Sequence, residues 1–349
     1  MLLKNLKRSL RNNAKTLCGS ALACGVISSF SPAFAAPEKG TLVFKLENDI
    51  FTGSDNQYTN GLAIAWESES LVHHDQDGFA RKWSGLFEFL PGFEPDKDRN
   101  YLSMILTHDM NTSSDITDPN PPLNEQPYSG ILMLDTQLHT DFPTWSQIWR
   151  IKVGAVGPIT QADHIQTAFH DLIGADEPQG WGTQLPNEPV FNIGYLAGRP
   201  LWSSAVDADT KWRISGVTSV DAGTFLTGAG AVLIVELGSA LRRPGAASSS
   251  DLGYGLALGF DERSERSWDY SVFASTGGYG IARFLPLDGN AFRDSRSIDY
   301  EEFIQTFSVG VSGRYKRMVV NFSLNYGATP TNSSDADIDY GALSVGWRF

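Results

Sequence analysis

Apolar residues recur at every second position in stretches of about ten residues, as in residues 41–49, 146–156 and 299–314. Clusters of Gly, Pro, Asn, Asp and Ser separate these stretches. Successive side chains of a β-strand point to opposite faces of a sheet, so the alternation predicts strands with one apolar and one polar or small face. The pattern therefore predicts an all-β protein.

Twelve such segments can be distinguished along the chain. They lie near residues 41–49, 58–67, 100–109, 128–138, 146–156, 191–199, 210–222, 224–238, 267–284, 299–314, 317–327 and 338–349. An even number of long antiparallel strands is typical of a closed outer-membrane barrel, which meets lipid on its outer face. A soluble β-sandwich or barrel also alternates and is the competing interpretation.

Two features favour the membrane barrel. Aromatic residues with a polar edge lie at the ends of predicted strands, as in an interfacial girdle, namely Tyr58, Trp66, Tyr101, Tyr128, Trp149 and Tyr340. The chain also ends in an alternating strand that finishes on Phe349, and this ending resembles the assembly signal of outer-membrane barrels. No stretch after residue 36 approaches the roughly 20 apolar residues of a transmembrane helix. We therefore predict a twelve-stranded antiparallel transmembrane β-barrel.

The N-terminal residues have a different pattern. A basic start contains Lys4, Lys7, Arg8, Arg11 and Lys15. A small-residue apolar stretch follows and ends in Ala33-Phe34-Ala35, which predicts a secretory signal peptide over residues 1–35 and a barrel over residues 36–349. The alternatives are an amphipathic helix, a membrane anchor, or a lipoprotein attached through Cys24. Cleavage would remove both cysteines, Cys18 and Cys24, and would exclude disulfides and thiolate metal sites.

Composition narrows the class of function. The chain has 40 acidic and 27 basic side chains and a formal charge of −13, which argues against nucleic-acid binding. It is 41% hydrophobic and 11% aromatic, which is too apolar for a disordered chain.

Two polar runs are expected to meet at the extracellular end of the barrel. With the N-terminus in the periplasm, strand one runs outward and ends at Glu47-Asn48-Asp49, and strand two begins at Tyr58-Thr59-Asn60-Gly61. Hairpin pairing brings an acid, an amide and a hydroxyl together there. These are hard oxygen ligands of the kind that Ca²⁺ prefers. Ordinary polarity at a loop edge is the alternative.

The extracellular connection after strand five predicts a short helix. Thr160 is a candidate N-cap and Gly174 a candidate C-terminal stop. Gln166 and His170 are four residues apart and share a helix face, although a solvated pair would have the same spacing. The residues expected to dock the helix on the barrel are Ile165, Phe169, Leu172 and Ile173. With no zinc motif and no G-x-S-x-G elbow, a metal-assisted or His-activated water is the simplest hydrolytic chemistry.

A second helix is expected in the long periplasmic connection between the second and third strands. Phe79, Trp83, Leu86, Phe87 and Leu90 have helix-like spacing, which predicts a short interfacial helix.

Taken together, these runs resemble the outer-membrane lipid A 3'-O-deacylase family. The matching residues are Glu47-Asn48-Asp49, Tyr58-Thr59-Asn60-Gly61, Gln166, His170, Ile173-Gly174-Ala175-Asp176, Gly180-Trp181, Gln184-Leu185, Asn187-Glu188-Pro189, Leu287-Asp288-Gly289-Asn290 and Asp294-Ser295. The resemblance spans nearly the whole mature chain. It implies a twelve-stranded barrel that hydrolyses the ester of the 3'-linked acyloxyacyl chain of lipid A and depends on Ca²⁺.

The resemblance also implies roles for individual residues. His170 would be the general base that activates water, and Asp176, where the family often has Glu, would hold or orient it. The residues implied for the metal and oxyanion sites are Asn48, Asp49, Thr59 and Gln166. A Lys of some family members has no clear counterpart between Asn111 and Gln126. The implied substrate is lipid A within lipopolysaccharide, and the expected active unit is a monomer.

Three other functions remain compatible with the sequence. The chain could be a non-enzymatic barrel, either a narrow porin or a surface-binding protein. It could be an outer-membrane phospholipase, although those usually rely on a Ser nucleophile. It could also be a deacylase relative that has lost its activity.

Overall fold

The computed structural model describes residues 39–48, 58–74, 77–96, 99–242, 266–327 and 338–349. Within these ranges the chain forms a closed barrel of twelve antiparallel strands, in which each strand pairs with its sequence neighbours and the first pairs with the last. The strands are β1 (Gly40–Asn48), β2 (Tyr58–Ser68), β3 (Asn100–Asn111), β4 (Ser129–Asp141), β5 (Ser146–Val156), β6 (Glu188–Ala205), β7 (Lys211–Gly223), β8 (Leu226–Gly238), β9 (Trp268–Phe284), β10 (Phe303–Tyr315), β11 (Met318–Gly327) and β12 (Ile338–Arg348).

All twelve predicted strands are therefore confirmed, and the two largest differences in extent concern β6 and β10. Strand β6 continues to Ala205, because the pairing with β7 passes through an irregularity between Pro200 and Trp202 and then resumes. Strand β10 begins only at Phe303. The signal peptide over residues 1–35 lies outside the described residues and stays a prediction.

The two faces of the wall differ as the alternation predicts. Leu106, Leu233 and Val311 are exposed on the outer face. Charged side chains are buried inside, where the Nη2 of Arg150 lies 2.8 Å from the Oδ2 of Asp221. The inner end of the barrel is the end at which β1 begins and β12 ends, and the outer end is the opposite one.

The interior of the described barrel is filled with side chains. Towards the outer end, loop residues Leu185, Leu285 and Leu287 pack against inward-facing strand residues in one apolar cluster. A second apolar layer lies nearer the inner end and contains Ile148, Leu196, Val217, Val232 and Ile234. A water-filled pore requires an open lumen. This packing therefore disfavours the narrow porin.

Three α-helices lie in the described connections: α1 (Phe79–Gly85), α2 (Ala162–Ile173) and the four-residue α3 (Leu285–Asp288). None of the helices in the described ranges is long and apolar enough to span a membrane. Helix α1 starts an apolar segment at the inner end, and α2 belongs to the β5–β6 connection at the outer end. Helix α2 packs on β3 and β4.

Candidate active site on the outer wall

Helix α2 begins and ends at residues with left-handed backbone conformation. Gln161 precedes the helix with φ 58°, and Gly174 follows it with φ 72°. The N–H of Gly174 donates to the carbonyl of His170 at 2.8 Å, so the predicted C-terminal stop is confirmed. The prediction that Thr160 is the N-cap of α2 is wrong, because Gln161 holds that position. Thr160 closes a preceding 3₁₀ turn, and its hydroxyl donates to the carbonyl of Gly157 at 2.8 Å.

The face of α2 that rests on the barrel is small and polar. Ala162, Gln166 and His170 are buried at successive four-residue intervals, whereas Ile165 is 40% exposed. The predicted docking face is therefore wrong at Ile165, and the side chains of Leu172 and Ile173 lie outside the described part. Lipid is as apolar as a protein interior, so an apolar helix face can turn away from the wall in a membrane protein.

Close backbone approach brings α2 onto the outside of the barrel. On β3, Leu106 is exposed, so alternation places Met110 on the outer face as well. Met110 pairs with Gly130 of β4, and a Cβ at Gly130 would overlap Ala162 of the helix. Only glycine permits this contact. The helix therefore lies against the outer wall rather than inside the lumen.

Trp181 fixes the amide of Gln166. The indole packs with Met110, Tyr128 and Ala162, and its ring centroid lies 5.2 Å from that of Tyr128 in an edge-on arrangement. Its Nε1–H donates to the Oε1 of Gln166 at 2.9 Å. An indole N–H can only donate, so this bond assigns the two ends of the amide.

The amide nitrogen of Gln166 is left as a free donor. Gln166 is fully buried, and its Nε2 has no hydrogen-bond partner in the described residues. A buried donor without a partner costs about 1–3 kcal/mol, and such a cost in a native fold calls for an explanation such as a catalytic role. Because it carries hydrogens, Nε2 suits a developing oxyanion and does not suit a metal ion.

His170 is held in one tautomer by the chain that follows the helix. It is 5% exposed, and its Nδ1 lies 2.6 Å from the backbone carbonyl oxygen of Asp176. A carbonyl only accepts, so a neutral His170 carries its proton on Nδ1 and keeps a lone pair on Nε2. Nε2 makes no hydrogen bond to the described residues, and the ring bonds no Ser hydroxyl there. His170 is therefore arranged to accept a proton.

Asp176 contacts the imidazole through its backbone. The side chain of Asp176 is exposed, and only its carbonyl reaches His170. A Glu at this position would offer the same carbonyl. The difference between Asp and Glu therefore has no effect on this contact.

The remaining predicted site residues lie at the adjoining ends of β1 and β2. Asn48 ends β1 and is buried. Glu47 pairs with Gly61 and Asn60 pairs with Met110, and the register shifts between Tyr58 and Asn60, at Thr59. Adjacent strands are about 4.8 Å apart, so the row from the end of β1 to β4 is roughly 14 Å wide. The ends of β1 and β2 thus lie at the level of the α2 contact.

The strand ends offer oxygen donors of the kind that a hard cation needs. Asn48, Asp49 and Thr59 offer an amide, a carboxylate and a hydroxyl, which fit Ca²⁺ by chemistry. Asp49 lies outside the described residues, and the side chain of Thr59 is not described. No group of three or more His, Cys, Asp and Glu that could hold a metal occurs in the described ranges. The oxygen of Gln166 accepts a hydrogen bond from Trp181, which leaves the amide nitrogen on the side away from the indole.

Sequence reasoning assigned no role to two residues that organise the outer end. Trp181 was noted only as part of a motif, and its bond to Gln166 depends on a turn that local patterns do not predict. Glu188 accepts hydrogen bonds from the backbone N–H groups of Ala291 and Phe292 at 2.6 and 3.0 Å. It thereby ties the β9–β10 connection to the start of β6.

The fold and site define an outer-membrane β-barrel with a polar His–Gln site on its lipid-facing wall. The family model described as "Outer membrane protein LpxR" matches residues 21–349. The chain therefore belongs to the LpxR family of outer-membrane lipid A 3'-O-deacylases. Its location is the outer membrane.

Several solved structures are similar to this chain. LpxR from Salmonella typhimurium is similar with a TM-score of 0.67 and 18% identity, over 88% of this chain and 100% of that chain. The translocator domain of autotransporter NalP from Neisseria meningitidis has a TM-score of 0.43 and 8% identity, over 98% and 97% of the two chains. The β domain of the Bordetella autotransporter BrkA has a TM-score of 0.39 and 9% identity, over 89% and 97%. No curated protein matches the chain.

Proposed function

We propose that this outer-membrane lipid A deacylase is a Ca²⁺-dependent hydrolase that releases the 3'-linked acyloxyacyl chain, with His170 activating the water. The observation that carries the proposal is the arrangement of His170 and Gln166 on the buried face of α2. One side chain offers a proton acceptor, and the other offers a free donor one helical turn away.

The chemistry follows from these two groups. The Nε2 of His170 takes a proton from water while the water oxygen attacks the ester carbonyl carbon. Negative charge develops on the carbonyl oxygen, and the amide N–H of Gln166 donates to it. When the tetrahedral intermediate collapses, the C–O bond to the sugar breaks and the imidazolium returns its proton to the leaving alkoxide. The products are a fatty acid and a sugar hydroxyl, with no acyl-enzyme.

The hydrogen bond from Nδ1 to Asp176 serves this cycle. It keeps the proton of the neutral ring on Nδ1, so that Nε2 is the nitrogen with a lone pair to accept the proton of water. It also stabilises the imidazolium, because a carbonyl dipole faces the positive ring. Asp176 is therefore a positioning residue that acts through its backbone.

We further propose that Asn48, Asp49 and Thr59 hold the Ca²⁺. Their donor set is all oxygen, which favours a hard cation. When bound, the ion would supply positive charge for the ester carbonyl oxygen. We also propose a monomer as the active unit.

The position of the site supports a membrane lipid as substrate. Helix α2 lies on the outer face of β3 and β4, next to the exposed apolar residues of the wall. With the outer end facing the cell exterior, an ester of the outer leaflet can reach His170 while its acyl chains stay in the bilayer.

Mass spectrometry of lipid A from cells with and without the protein tests the proposal. We expect loss of the 3' acyloxyacyl group, and we expect the His170→Ala protein to leave lipid A unchanged. Purified protein should also be offered phospholipid in parallel. Release of acyl chains from phospholipid alone would favour the phospholipase, and no release from either lipid would overturn the proposal.

A further inference from the structure

A second covered region lies on the same strands at the inner end of the barrel. The inner-end segment (residues 77–93) contains α1 and rests on the outer wall, where its Ala80, Leu90 and Phe93 pack with Leu102 and Leu138. The Nε1 of Trp83 lies 3.3 Å from the Oγ1 of Thr136, to which it donates. Strands β3 and β4 therefore carry a cover at both ends.

Between the two covers the wall is mostly apolar and, except at the buried His108, open. Cross-strand partners share a face, so the register defines rows of outward-facing residues. The row of Met110 and Gly130 lies under α2, and the row of Met104 and Thr136 lies under Trp83. The outward residues of the two rows between them, apart from the buried His108, are half-buried or exposed: Leu62, Ile64, Leu106, Leu132 and Leu134. These five residues form the recess.

The length of the recess matches a fatty acyl chain. Met110 and Met104, the β3 residues under the two covers, are six positions apart, which is about 20 Å along the strand. A strand tilt of about 40° converts this to roughly 15 Å of depth. The hydrocarbon core is about 30 Å thick, so the recess spans about one leaflet. Its upper end lies beside the site, and its lower end is closed by the inner-end segment.

We propose that the recess binds the acyl chain next to the hydrolysed ester and that Trp83 limits the length of chain that fits. The inference rests on the proposed function, because it assumes that the ester lies at His170. Trp83 is held by Thr136 and packs with Phe79 and Phe87, at ring centroid distances of 5.9 and 6.3 Å. An indole held in this way can act as a fixed stop for a terminal methyl group.

The occupant is argued from position. Exposed apolar residues elsewhere on the barrel, such as Leu233 and Val311, contact bulk lipid in the same way. The recess differs because an acyl chain that lies in it starts at the site beside α2 and ends against Trp83. Lipid is as apolar as the wall, so the recess selects by fit rather than by the hydrophobic effect.

Hydrolysis in lipid vesicles tests whether Trp83 limits the length of the acyl chain. The assay compares kcat/KM for lipid A with shorter and longer acyl chains at the 3' position. We expect Trp83→Ala to raise the ratio for long over short chains by about tenfold, which is the scale of discrimination by steric fit in a pocket. Trp268→Ala is the matched control, because Trp268 is an exposed Trp at the inner end on β9. An unchanged ratio in Trp83→Ala would overturn the proposal.

A second pair of variants tests the recess while Trp83 stays in place. Leu106→Trp fills it and should lower kcat/KM for every chain length by about tenfold or more. Leu233→Trp makes the same change in the middle of β8 and should leave kcat/KM unchanged. Heat-dependent gel mobility confirms that each variant is folded. Equal losses in the two variants would show that only bulk lipid meets the wall.

Photo-crosslinking separates this inference from the proposed function. Lipid A with a photoreactive group in its 3' acyl chain is bound to the His170→Ala protein, and adducts are mapped by mass spectrometry. We expect adducts at Leu106 or its recess neighbours, and far fewer with photoreactive phospholipid. Adducts spread evenly around the barrel would refute the recess, even if the wild-type protein hydrolyses lipid A. Adducts in the recess with an inactive wild type would refute only the proposed function.

Discussion

Replacing Trp181 by Phe removes one hydrogen bond and leaves a smaller aromatic ring in the same place. The bond from Nε1 to the Oε1 of Gln166 is 2.9 Å long, and both side chains are buried. The ring of Phe can still pack edge-on against Tyr128. The variant therefore tests whether the orientation of Gln166 matters while one aromatic contact to Tyr128 is kept.

The expected loss can be worked from the burial. An acceptor that loses its partner in a buried site costs about 1–3 kcal/mol, and the amide of Gln166 can then rotate and misdirect its N–H. At about 1.4 kcal/mol for each factor of ten, kcat falls by about 5-fold to 150-fold. In the proposed mechanism, the Gln166 donor acts on charge that develops in the transition state. We therefore expect kcat and kcat/KM to fall together while KM stays constant.

The assay is release of the 3' acyl group by purified protein, with the pH profile measured for each variant. Trp202→Phe is the control, because Trp202 is exposed and packs against Trp212 at a distance from the site. Gln166→Ala should lose about as much as Trp181→Phe, and the double variant should lose little more. Wild-type kcat in Trp181→Phe, a loss confined to KM, or full additivity with Gln166→Ala would refute the positioning role.

Four further predictions concern the base, the metal, the Asp176 contact and the lumen. His170→Ala should lower the rate by about 10²–10⁴-fold, the usual share of general-base catalysis, whereas His164→Ala should retain activity; the reverse result would show that the site is misassigned. Excess chelator should abolish hydrolysis and Ca²⁺ should restore it, so full activity in chelator would leave the oxygen cluster a purely structural role. Asp176→Glu should stay within about twofold of wild-type kcat/KM, because a backbone carbonyl makes the contact, and a larger loss would implicate the carboxylate. Arg150→Met should reduce the free energy of unfolding by about 3–5 kcal/mol, measured in denaturant by gel mobility, with partial recovery in the double variant with Asp221→Asn; an unchanged midpoint would contradict the ion pair.

The strands and the end of α2 could be predicted from local patterns. Period-two alternation is a property of neighbouring residues, so all twelve strands were recognisable before their pairing was known. Gly174 ends α2 as expected, because a left-handed residue is needed there and glycine adopts it at no steric cost. The residues of the candidate site are predicted only by the resemblance in motifs. Local patterns alone do not distinguish them from ordinary polar residues at loop edges and on a solvated helix face.

Tertiary structure decided which face of α2 meets the barrel and how its polar groups are oriented. Hydrophobicity marks the buried face of a helix only when the alternative is water. In a membrane, Ile165 can face outward at no cost, and Gln166 and His170 are buried instead. The tautomer of His170 and the amide orientation of Gln166 depend on a carbonyl and an indole from the chain beyond the helix. Those contacts exist only after α2 has docked on Gly130, so the sequence of the helix alone does not predict them.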